Sequence, residues 1–186
     1  MRLKTYETSA LRLQLLFVLL TVALFLATLA VNEWFFHRLE FTRGINWVYL
    51  PAGVRLLCML LFGGAGAIGL LIGCWLASFL YFFPDDLQRA FMGGVLAVLG
   101  PWLVYLGAQR AWGLQVSLAK LSPARLLWLG AGCAVISPLM HHLYFAWRGQ
   151  SELVSGFIAM SIGDFVGILI VLYAIKGLLA LIPQPA

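Results

Sequence analysis

Acidic side chains are scarce in this sequence. Seven Asp and Glu stand against twelve Lys and Arg in 186 residues, and charged residues of both signs make up only 10%, where an ordinary soluble domain carries roughly 25%. Cysteine and histidine number three each, too few and too dispersed for a metal centre. Cys58, Cys74 and Cys133 fall singly in apolar runs without CxxC spacing, and read as small buried hydrophobes. HExxH, a phosphate loop, a nucleophile elbow and a pair of intramembrane carboxylates are all missing, so neither an enzyme nor a cofactor is expected. Internal repeats and low-complexity linkers are missing too.

What fills the chain instead is apolar sequence, 63% of residues. A bilayer crossing needs about 20 mostly apolar residues, and such runs recur over nearly the whole length. The expected fold class is all-α: one integral membrane domain, a polytopic helical bundle of about six segments spanning residues 1–186. The segments are Leu13 to Val31, Ala52 to Phe62, Ala67 to Phe83, Ala90 to Ala108, Leu126 to Trp147 and Leu153 to Leu181. The first has a core too long for a signal peptide and reads as a retained helix.

Six segments put both ends on one side. Arg2, Lys4, Arg12, Arg110, Lys120, Arg125 and Lys176 then share that side, against Arg38, Arg43, Arg89 and Arg148 opposite, so the positive-inside rule places both termini in the cytoplasm. The net charge of +5 sits in short loops, as membrane topology requires, and gives no nucleic-acid signal. The lipid bilayer is the first expected partner. Trp34, Phe35, Phe36, Trp47, Tyr49, Tyr144 and Trp147 cluster on the outer side, and most of them read as an interfacial aromatic belt.

The second segment is anomalous. From Ala52 to Phe62 a helix rises only about 17 Å, against a hydrocarbon core of roughly 30 Å. It crosses only if Ile45 to Leu50 leads in as extended chain, a conformation that the residue before Pro51 favours, with Pro51 in the first helical turn. Non-helical backbone at membrane depth needs a protein or a wet cavity around it. The helix start is expected to turn free N–H groups toward that cavity, with Arg55 adding a cation one turn in. Trp47 is placed on the cavity wall.

A matching anion lies far along the chain. "SIGDFVGILIV" sets Asp164 inside the last segment, where an unpaired charge costs several kcal/mol. Two readings stand for these groups: Arg55 and Asp164 meet in one cavity, or Arg55 snorkels to the headgroups and Asp164 is structural. Ala159, Gly163 and Gly167 lie at a spacing that admits a close helix. Of His141 and His142, at about 100° to one another on a helix, at most one is expected to face the cavity, the alternative being packing or an interfacial position.

"NWVYLPAGVRLLCMLLFG" and "SIGDFVGILIVLYAI" resemble the signatures of the bacterial membrane-associated sensor domain family of the first type (MASE-type): Trp47 before Pro51, Ala52 and Gly53, an apolar helix ending at Gly63, then Gly163, Asp164 and Gly167. The resemblance covers the chain from about Asn46 onward. It implies a sensory module of the bacterial inner membrane, normally joined to a cytoplasmic kinase or cyclic-di-nucleotide enzyme. These 186 residues hold no output domain, so signalling is expected to run through a membrane or cytoplasmic partner. The expected ligand-binding residues are Trp47, Pro51, Gly53, Arg55, His141, Gly163, Asp164 and Gly167, around a small molecule entering from the outer side. Alternative readings are the substrate-binding subunit of a vitamin-type transporter and a structural assembly factor.

Overall fold

The computed structural model describes residues 2–114 and 121–181, with side chains for 10–114, 121–179 and 181; Lys120 lies outside the described residues and the Arg2 and Lys4 side chains are not described. The chain builds α1 (Arg2–Phe36), a 3-10 turn (His37–Leu39), a two-stranded ribbon of β1 (Glu40–Thr42) and β2 (Ile45–Asn46), α2 (Pro51–Ala77) with a π-helical extension (Ser78–Phe82), α3 (Leu87–Trp112), α4 (Pro123–Trp147) and α5 (Leu153–Ala180). Five helices, among the described residues, are long and apolar enough to cross a membrane. The result is a helical bundle whose centre is the first part of α2.

Helix ends follow local chemistry. Asp86 caps α3 by accepting the Arg89 N–H at 2.9 Å, and Gly113 closes it in the left-handed conformation. Ser122 precedes Pro123 at the start of α4 and accepts the Arg125 N–H at 3.3 Å.

α2 is continuous except at Gly63, whose φ of 53° and ψ of −122° are not helical. The two limbs on either side fold back on each other. Were α2 straight, Arg55 and Ala77 would lie about 33 Å apart, yet both line one cavity, and a Cβ on Gly66 would strike the carbonyl of Cys58. The sequence break expected over several residues is thus confined to one glycine. Pro51 through Leu60 are all buried, as a helix apolar on every side must be. Surrounding it are α1, α3, α4 and α5, which turn Leu19, Leu143 and Val154 outward.

The lead into α2 corrects one expectation. β2 is extended, but Leu50 is helical at φ −55° and ψ −36° despite preceding Pro51. Tertiary hydrogen bonds override the local bias: Leu50 N–H donates to Asn32 Oδ1 of α1 at 2.8 Å, and Tyr49 N–H donates to the Gly163 carbonyl of α5 at 3.0 Å.

Three loops meet at one end of the bundle. Arg43 donates to the carbonyls of Phe82 at 2.7 Å and Tyr81 at 2.6 Å, and Arg148 pairs with Asp86 at 2.8 Å.

Candidate functional site

Arg55 is the only basic residue in the first limb of α2, within the stretch Pro51–Leu60 that is buried on every side. It and Asp164 are each 2% exposed. One terminal nitrogen, Nη2, donates to both Asp164 oxygens at 3.1 Å. Pairing is what the energetics demand, since an isolated buried charge costs several kcal/mol. The guanidinium also lies 5.4 Å from the Tyr49 ring centroid.

The remaining amino group finds a carbonyl that the sequence frees for it. Pro101 sits inside α3 and has no N–H to give to the carbonyl four residues earlier. That carbonyl belongs to Ala97, and Arg55 Nη1 donates to it at 3.2 Å. Arg55 is thereby fixed by α5 on one side and by a proline-made vacancy in α3 on the other.

Beside the pair lies a cavity of about 70 Å³, lined in part by Asn46, Tyr49, Arg55, Arg89, His141 and Asp164. That volume is several times the roughly 10–15 Å³ needed to hold one water, and at about 30 Å³ per water in the liquid it takes about two. His141 reaches it with Nδ1 donating to the Ser137 carbonyl at 2.8 Å. His142 bonds the Pro138 carbonyl in the same way and lines a separate, outer cavity, so the two rings divide as their helical angle requires.

The eight expected ligand contacts sort into three groups. Arg55, His141 and Asp164 are brought together at the cavity. Pro51, Gly53, Gly163 and Gly167 instead shape the backbone. Pro51 opens α2, and a Cβ on Gly53 would meet Val171 of α5. A Cβ on Gly163 would strike the Asn46 carbonyl, and one on Gly167 the Tyr49 carbonyl. What approaches the small residues of α5 is therefore the non-helical lead into α2, where a helix was expected. Gly167→Ala is expected to cost about 2 kcal/mol by overpacking against backbone that has no room to yield. Gly177→Ala, with nothing near it, should be neutral or raise the unfolding temperature slightly through helix propensity.

Trp47 is not on the wall. It is 37% exposed, packs edge-on against Phe41 at 6.0 Å, and does not line the cavity. Its neighbours Asn46 and Tyr49 do, because the bend at Trp47 and Val48 turns the indole outward while the flanking residues anchor to α5. Nor does the start of α2 offer free N–H groups: Ala52 N–H donates to Tyr49 at 3.2 Å and Gly53 N–H to Leu50 at 3.0 Å. The cavity's positive character comes from side chains. Sequence reasoning missed Asn46, Tyr49 and Arg89; Pro101 inside an apolar run was the available signal for the acceptor at Ala97.

Comparison with family models, curated proteins and solved structures yields no match for this chain.

Proposed function

We propose that the protein is a membrane-embedded sensory or ligand-binding module, in which a small polar molecule occupies the cavity at the Arg55–Asp164 pair and a membrane or cytoplasmic partner reads the resulting change in helix packing. The observation that carries this reading is a buried ion pair bordering a small cavity and seated on an interrupted helix. Intramembrane charges mark functional sites by default, and a broken helix supplies an element with two packings for a ligand to choose between. The cavity volume supports a ligand of a few atoms, far smaller than a vitamin.

The membrane arrangement belongs to the same reading. The five apolar helices, with α2 folded at Gly63, give six limbs and both ends on one side. The ends of α1, α3 and α5 that carry Arg12, Arg110 and Lys176 face the cytoplasm of a bacterial inner membrane. The loops gathered by Arg43 and Arg148 face outward.

Native mass spectrometry of the detergent-extracted chain tests the site. The expected result is a retained small molecule that is lost in the double variant Arg55→Met/Asp164→Leu. Undiminished retention in the double variant, which keeps the site packed, removes the ion pair from the binding site and overturns the reading.

A further inference from the structure

The cavity has a chemical bias that its ion pair alone does not explain. Among the fully buried side-chain atoms without a hydrogen-bond partner, those on residues lining this cavity are Arg55 Nε, Asn46 Nδ2 and Arg89 Nε. All three are N–H donors. Leaving such a donor buried and unpaired costs about 1–3 kcal/mol, so three around one cavity select an occupant made of acceptors.

Charge points the same way. Arg55 and Arg89 line the cavity against one carboxylate, Asp164, both oxygens of which are taken by Arg55; Arg43 lines it too, with its guanidinium held on the carbonyls of Phe82 and Tyr81. Of the acids at the outer end, Glu152 lines the outer cavity together with Arg89, and two others are engaged elsewhere. Asp86 holds Arg148 and the Arg89 backbone N–H, and Glu40 accepts the Gly44 N–H at 3.0 Å. Water satisfies donors but leaves this excess of positive charge unbalanced; an anion does both.

An outer cavity adjoins the inner one. A second cavity of about 390 Å³ between the β-ribbon and the α4–α5 loop shares Ile45, Arg89 and Phe145 with the inner one. Arg89 is the wall between them, its guanidinium 4.1 Å from the Phe83 ring centroid and 5.5 Å from that of Phe145. It borders both compartments with one Nε unpaired.

We infer that the inner cavity binds a small monovalent oxyanion of the size of formate, nitrate or bicarbonate, reached through the outer cavity past Arg89. This rests on the reading of the cavity as a ligand site and adds the class of ligand. The test uses the full chain in nanodiscs of phosphatidylcholine, in chloride-free buffer with ionic strength held constant by gluconate. Unfolding temperature is followed while sodium formate, nitrate, bicarbonate or neutral formamide is titrated in.

The expected result is saturable stabilisation by at least one of the three anions, about 5 °C at a hundredfold excess over Kd, and none by formamide. The apparent Kd should weaken at least tenfold in Asn46→Asp, which replaces an unpaired donor with a negative acceptor, and in Arg89→Gln. Should one of these variants fail to fold, its unliganded transition will be missing and the other decides. Saturation by formamide to the same degree overturns the anion while leaving a ligand site in place. No saturation by any of the four probes also overturns it, and whether the cavity is a ligand site then rests on the native mass measurement alone. Anion affinities unchanged in both variants place the binding elsewhere and overturn the assignment.

Discussion

Asp164→Asn destabilises the protein by about 3–5 kcal/mol, the usual cost of removing one partner from a buried ion pair. Arg55→Met costs a similar amount. In the first variant a guanidinium stays buried with neutral acceptors only, the Ala97 carbonyl and the one remaining side-chain oxygen at position 164; in the second a carboxylate stays buried with none of its two bonds. The double variant Arg55→Met/Asp164→Leu is expected to return to within about 1 kcal/mol of the starting protein, because well-packed apolar side chains replace a buried pair at little or no cost. Unfolding in mild detergent against increasing sodium dodecyl sulfate measures all three. A double variant as damaged as either single would mean that the two groups do not act as a pair.

Gly63→Val is expected to cost about 3 kcal/mol and to loosen the two limbs of α2 from each other. With φ 53° and ψ −122°, Gly63 has the dihedrals of the first central residue of a type II′ turn, a glycine position. A β-branched side chain there is strained by sterics that no neighbour can relieve. The effect should exceed local strain, because the fold-back places Val54, Cys58 and Met59 against Leu70, Cys74 and Ala77 in one apolar cluster. The next residue is the control. A Cβ on Gly64 would have nothing within 4 Å of it, so Gly64→Ala should be neutral or should stabilise by up to about 1 kcal/mol through helix propensity. Equal effects at the two positions would show that the turn at Gly63 is not what holds the limbs together.

The pairing of Arg55 with Asp164 is legible in the sequence because the physics leaves so few options: in a chain this apolar, opposite charges on interior segments either meet or each carries its own desolvation cost. The helical bundle is legible from apolar run lengths for the same reason. Illegible features all depend on where non-periodic backbone goes. Sequence puts Trp47 on the cavity wall, whereas Asn46 and Tyr49 occupy it, since a bent segment has no fixed side-chain period. Leu50 adopts helical dihedrals against the preference set by Pro51 because its bond to Asn32 and the start of α2 decide its conformation, and Asn32 is far away in sequence. Arg89 reads as an ordinary loop charge; only the packing of Phe83 and Phe145 around it brings it to the cavity. The glycines of α5 announce a close approach correctly, but spacing alone does not say whether a helix or a loop will come near.

The partners in the central ion pair are separated by 109 residues, and that spacing bears on biosynthesis. When the first limb of α2 leaves the ribosome it is too short to span and carries a cation whose counterion does not yet exist. Until α5 is made, lateral release of that limb into lipid is opposed, and Arg55 must wait near water or inside the insertion machinery. In the membrane arrangement proposed above, the protein is expected to assemble from the outside inward, its innermost helix reaching its resting place last.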